Sequence, residues 1–193
     1  MPDKLRLFLA LPLPASLRDP LSRAQQGVDT RGLCVRWTLP ETWHLTLHFL
    51  GATPAKLLED LRHDLGACFQ RHRCFDLSCQ GLGSFPSVEE PRILWAGVAD
   101  PHGHLARLHK DSKQVLDQYR LFKLPSEPYV PHLTLGRVQE QAASFDAPAF
   151  SRALRAWSSL GPWPVEEARL FHSRFTPEGP LHELLQSYPL ARG

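Results

Sequence analysis

The sequence has no excess of either charge. Its 193 residues carry 22 lysines and arginines against 20 aspartates and glutamates, for a net charge of +2. Residues 1–96 hold 11 basic and 10 acidic side chains, and residues 97–193 hold the same numbers. With no basic tail or domain, a protein that coats duplex nucleic acid is excluded, because such binding rests on many phosphate contacts. Recognition of a single phosphate at the end of a strand is not excluded. Cysteine is also scarce. Cys34, Cys68, Cys74 and Cys79 form no CxxC pair and match no zinc spacing. Four are too few for a disulfide scaffold, so they read as reduced thiols of a cytoplasmic protein. Long apolar runs are missing too. Residues 7–11 follow Lys4 and Arg6 and start like a secretory leader, but Pro12 and Pro14 cut the run short. No run approaches the roughly 20 residues a membrane helix needs, and no membrane association is expected. There is no low-complexity linker and no GxxxxGK[ST] loop for ATP. Gly81-Leu82-Gly83-Ser84-Phe85-Pro86 lacks the third glycine of a dinucleotide fingerprint.

What is present is an ordinary globular balance, 42% apolar and 22% charged. That is enough for one domain spanning residues 1–193, with a monomer as the default. Periodicity predicts strands near residues 5–11, 35–38, 44–50, 75–85, 93–98 and 133–138, with a last pair at 165–175 and 181–188. Gly51 is expected to close the third of these. Helices are predicted near 14–26, 54–69, 101–119 and 148–158. The order suggests an α+β fold with antiparallel sheets and helices outside.

A search for internal repeats gives one sharp result. His44-Leu45-Thr46-Leu47 recurs as His132-Leu133-Thr134-Leu135. With 10 histidines, 33 leucines and 7 threonines in the chain, two chance copies are expected on the order of 10⁻⁴ times. In a strand, side chains alternate between faces. Leu45, Leu47 and Phe49 then share one face, and His44, Thr46 and His48 the other. In the second copy Leu133 and Leu135 face the core, while His132 and Thr134 face away. If the strands approach across a pseudo-two-fold, two imidazoles and two hydroxyls converge. Imidazoles titrate near neutrality, so one can remove a proton from an attacking oxygen while the other protonates a leaving oxygen. Threonine hydroxyls can donate to the non-bridging oxygens of a phosphoryl group. A packing role alone leaves the duplicated polar face unexplained. The equal halves and the repeat together suggest two lobes, each supplying one histidine and one threonine.

These residues resemble the 2H phosphoesterase superfamily, and within it the RNA 2′,3′-cyclic phosphodiesterase branch, also called 2′-5′ RNA ligase. The similarity is carried by Trp37-Thr38-Leu39-Pro40-Glu41-Thr42-Trp43-His44-Leu45-Thr46-Leu47-His48-Phe49-Leu50-Gly51, by Arg6-Leu7-Phe8-Leu9-Ala10, and by Tyr129-Val130-Pro131-His132-Leu133-Thr134-Leu135-Gly136-Arg137. The resemblance implies two pseudo-symmetric α/β lobes whose antiparallel sheets form a central cleft. It implies His44 as proton donor and His132 as proton acceptor, with Thr46 and Thr134 holding the phosphate. The implied substrate is an RNA end carrying a 2′,3′-cyclic phosphate, the product a 2′-phosphate, and no cofactor is required. Spacing alone does not say which histidine is acid. Alternatives are a 2′-5′ oligonucleotide or small cyclic-nucleotide phosphodiesterase, and a non-catalytic binder of RNA ends.

Arg137 matches the family's arginine after the second motif and is a candidate phosphate ligand. Strict alternation puts it on the Leu133 face, so the strand must twist, bulge or end by Gly136 for it to reach the cleft. Arg31 and Arg36 are weaker candidates. Tyr129 is a candidate for stacking on a nucleobase. A zinc site from His44, His48 and His132 would lack a carboxylate or cysteine to complete it, so no metal is expected. His48 is expected at the cleft rim or on the solvent face. The histidines at 63, 72, 102, 104, 109, 172 and 182 are expected at the surface.

Overall fold

The computed structural model describes residues 3–124, 128–157, 159–176 and 179–192. Its strands are β1 (Lys4–Pro12), β2 (Leu33–Trp37), β3 (His44–Pro54), β4 (Phe75–Pro86), β5 (Pro91–Ala99), β6 (His132–Gln141), β7 (Leu160–Val165), β8 (Glu167–Thr176) and β9 (Gly179–Pro189). The helices are α1 (Ala15–Gly27), α2 (Leu58–Phe69), α3 (His104–Gln118) and α4 (Ala147–Arg155). The α+β class expected from the sequence is what forms. The strands pair antiparallel in one sheet, in the order β7-β4-β5-β6-β3-β1-β8-β9, with β2 added along the far part of β6.

The run that starts like a leader is β1. It lies between β3 and β8, and residues from Leu7 through Leu11 are all buried. A strand covered on both faces needs a continuous apolar run rather than alternation. Leu7, Leu9, Leu11, Leu45 and Leu133 join Leu61 and Leu65 of α2 and Leu105 and Leu108 of α3 in the main core. No helix among the described residues is long and apolar enough to cross a membrane.

Three expectations change. The edge strand β7 carries Pro162 and Pro164, which hid it in the sequence; an edge tolerates proline because only one side is paired. The third strand does not stop at Gly51, which sits at φ +67° in a bulge, and pairing continues to Pro54. The two half-sheets also differ from the two halves of the chain. One holds β1, β3, β8 and β9, from both ends of the sequence. The other holds β2, β4, β5, β6 and β7.

The half-sheets meet where Leu45 of β3 pairs with Leu133 of β6. These are equivalent residues of the two motifs, so a local two-fold runs between them. On its outer side β3 is laddered to β1, and β6 to β5.

Candidate active site

Both motif strands bulge at the same point. Thr46 and His48 face Ala10 and Leu9 of β1, leaving Leu47 as the extra residue. Thr134 and Gly136 face Trp95 and Leu94 of β5, leaving Leu135 as the extra residue. A bulge advances the chain one residue and swaps the faces beyond it. His48 and Gly136 therefore turn inward, and Phe49 and Arg137 turn out to the cleft. Arg137 thus lines the cleft by the bulge its placement required. The expected faces of His48 and Phe49 are reversed. His48 is 4% exposed on the opposite side of β3, with Nε2 donating toward His109 O (3.1 Å) and Ser112 Oγ (3.0 Å) of α3. It cannot share a metal with His44 and His132.

His44, Thr46, His132, Thr134 and Arg137 line one cavity of about 560 Å³. The two histidines are anchored alike. His44 Nδ1 lies 2.7 Å from Thr42 O, and His132 Nδ1 lies 2.8 Å from Val130 O. A carbonyl only accepts, so each Nδ1 carries a proton, and each Nε2 is left free to take or give one. No intramolecular hydrogen bond among the described residues engages the Thr46 or Thr134 hydroxyl.

The ring environments differ. His132 meets the edge of Phe85 at 5.1 Å and has Trp95 at 6.5 Å. His44 packs on Phe8 at 5.0 Å and meets His182 edge-on at 5.5 Å. One edge of His44 reaches the cleft, but Phe8, Phe171 and His182 enclose the rest. That burial, with the second imidazole beside it, pushes His44 down to about 4 despite the Thr42 carbonyl. His182 is a cleft residue that the sequence did not single out. It is one histidine on β9, with no repeat to mark it.

Arg6 and Arg36 join Arg137 in the lining, and no Asp or Glu lines the cavity among the described residues. Arg31 instead pairs with Asp29 at 2.6 Å. Leu39, Phe49 and Phe175 stand at the cleft and are 66%, 66% and 74% exposed. Tyr129 is not in the lining. Its ring stacks on His109 at 4.0 Å, and its hydroxyl donates to Thr46 O at 2.8 Å.

Two side chains, Thr38 and Gln25, hold the second motif. Thr38 Oγ1 donates to Thr134 O and Leu135 O, both at 2.8 Å, and accepts from Trp43 Nε1 at 2.8 Å. Gln25 Nε2 donates to Leu135 O at 2.9 Å and Thr38 O at 3.1 Å. The Thr38 N–H also donates to Leu135 O at 2.9 Å, so backbone and side chains converge on the extra residue of the bulge.

A paired-histidine cleft on an antiparallel α+β sheet defines a class, and the chain falls within it. Residues 14–174 match the 2′-5′ RNA ligase superfamily, and the chain belongs to that family. A protein of Methanothermobacter thermautotrophicus named RNA 2′,3′-cyclic phosphodiesterase is 30% identical over 97% of this chain and 100% of its own length. A crystal structure of a protein from Thermus thermophilus superposes with a TM-score of 0.76 at 27% identity, covering 96% of this chain and 97% of that one. The fold is also that of E. coli LigT, solved with 3′-AMP, at a TM-score of 0.75 and 22% identity over 97% of this chain and 99% of that one.

Proposed function

We propose that this chain hydrolyses RNA 2′,3′-cyclic phosphate ends to 2′-phosphate ends, with His44 as proton donor and His132 as proton acceptor. The observation that carries the reading is the two-fold pairing of the motifs at Leu45 and Leu133, with both imidazoles anchored through Nδ1 and lining one cavity. The name carried by the Methanothermobacter relative supports the same substrate.

In this scheme water attacks phosphorus in line with the ribose 3′ oxygen. His132 Nε2 takes the water's proton as the new P–O bond forms. The bond from phosphorus to O3′ breaks, and His44 Nε2 passes its proton to that oxygen. The product carries a 2′-phosphate and a 3′-hydroxyl, and exchange with solvent resets the two rings. Thr46 and Thr134 donate to the non-bridging oxygens, where charge builds. Arg137 neutralises the phosphate from the cleft wall. The exposed rings of Phe49 and Phe175 suit unpaired bases, which offer their faces for stacking. With a 5′-hydroxyl in place of the attacking water, the same site joins ends through a 2′-5′ linkage. Neither reaction needs ATP or a metal. The four free cysteines fit the reducing cytoplasm.

The test is hydrolysis of an oligoribonucleotide ending in 2′,3′-cyclic phosphate, with the position of the product phosphate determined and EDTA present. His44→Ala and His132→Ala should each cost about 10²–10⁴ in rate. Full activity in both variants, or loss of activity in EDTA, overturns the reading. Tight binding of the RNA without turnover would make the protein a binder of RNA ends. Turnover of only a 2′-5′ oligonucleotide or a cyclic mononucleotide would change the substrate and keep the site.

A further inference from the structure

The strands bearing the two histidines share one registered pair, Leu45 with Leu133. Before the first motif, β2 is laddered to β6 and the Thr38 N–H donates to Leu135 O at 2.9 Å, so backbone bonds set the coarse approach of the two motifs. Side chains then set the finer separation of the histidines.

The carbonyls of the two motif threonines show which side chains do so. Thr46 O accepts from Tyr129 at 2.8 Å, and Thr134 O accepts from Thr38 at 2.8 Å. Tyr129 lies on the approach to the second motif, yet it grips the first. Thr38 lies on the approach to the first motif, yet it grips the second. Each hydroxyl is itself held. Tyr129 stacks on His109, with the two planes 8° apart, and His109 stacks on His48 at 4.3 Å. Burial keeps the Tyr129 phenol protonated, so it remains a donor. Thr38 receives Trp43 Nε1, and its own carbonyl is bound by Gln25. Thr46 and Thr134 follow their histidines by two residues, so a grip on either carbonyl also sets the imidazole beside it.

We propose that Thr38 and Tyr129 are reciprocal positioning residues, two crossed latches that fix His44 and His132 on either side of one phosphate. The role rests on the acid–base reading of the cleft. Neither hydroxyl enters the chemistry, and each acts through the motif it grips. Displacement of about 1 Å between a catalytic group and the reacting atom costs on the order of 10²-fold in rate.

The test uses Tyr129→Phe, Thr38→Val and Thr38→Ser on the full chain. Tyr129→Phe and Thr38→Val should each lower kcat about tenfold or more and leave KM within about twofold, the pattern of an interaction that matters in the transition state. Thr38→Ser keeps the hydroxyl and should restore kcat. If Thr38→Val does not fold, Tyr129→Phe carries the test alone, since it removes one oxygen and leaves the ring on His109. Unchanged kcat in Tyr129→Phe and Thr38→Val overturns the proposal, and so does Thr38→Ser as slow as Thr38→Val. A second readout does not need activity. Inorganic phosphate titrated into the wild type should move the Cε1–H signals of His44 and His132 with one dissociation constant. In the two latch variants the ring of the released motif should shift by less than half its wild-type amplitude at saturation. An inactive wild type would overturn the proposed function, while wild-type shift amplitudes for both rings in every variant would overturn the latches.

Discussion

The proposed acid, His44, would have to deliver a proton near neutrality from a place where the empty protein cannot keep it charged. His44 is held down to about 4 by burial. At pH 7 only about one ring in a thousand carries the second proton. The substrate can supply what is missing. A phosphodiester anion about 4 Å from the ring, at an effective dielectric of about 20, interacts with the imidazolium by about 4 kcal/mol. At about 1.4 kcal/mol per pH unit, that raises His44 by roughly three units, to about 7. On the proposed mechanism, His44 would thus be charged mainly when there is a phosphate to act on. The assay is an NMR titration of the His44 Cε1–H signal between about pH 3 and 8. It is done on His132→Ala, which should turn over too slowly to consume a bound RNA cyclic phosphate. The free protein should titrate His44 near 4, and the complex near neutrality. A free His44 that titrates near the ordinary histidine value refutes the burial argument. One that titrates low and stays low in the complex refutes its role as proton donor.

Two further predictions concern the frame around the site. A Cβ on Gly83 would lie 2.3 Å from the Trp95 ring, which neighbours His132; Gly83→Ala should cost about 2–3 kcal/mol, or roughly 4–12 °C in Tm, measured by calorimetry. His48 is pushed down to about 3 by burial, with His109 beside it adding to the effect, so the unfolded chain binds a proton there that the folded chain refuses. Its contribution is full above the unfolded value near 6.5 and is lost as pH falls toward 3. Between pH 7 and pH 5, urea unfolding of the wild type should lose about 2 kcal/mol more than that of His48→Gln; equal losses would mean that His48 is not held neutral.

Much of the site was legible because a repeat reports on itself. The two HLTL segments named the four central side chains, and the alternation of a strand placed them on one face. Arg137 was legible as a condition, since it could reach the cleft only past a bulge. The bulges themselves were not readable. A bulge is a property of two paired strands, and nothing in Leu47-His48 or Leu135-Gly136 states which residue its neighbour will skip. That one step reversed His48 and Phe49. Tyr129 was visible as an aromatic beside the motif, but its partner, the Thr46 carbonyl, is 83 residues away in sequence. His182 comes from the far end of the chain and enters the cleft only because β9 completes the same half-sheet as β3. Of the elements, β7 was hidden by its prolines, which forbid a central strand and permit an edge.

The interleaving of the half-sheets decides when the enzyme can first exist during synthesis. While a ribosome extends the chain, β1 and β3 emerge early, and β1 must wait for β8 to cover its second edge. The wall of the cleft that holds His44 closes only when β9 brings His182 into place. The second motif emerges before that wall is finished. Pairing of such distant segments is slow to form, and until β8 arrives the outer edge of β1 has no strand to pair with. A copy whose translation stops before β8 therefore carries all four motif side chains and no finished cleft.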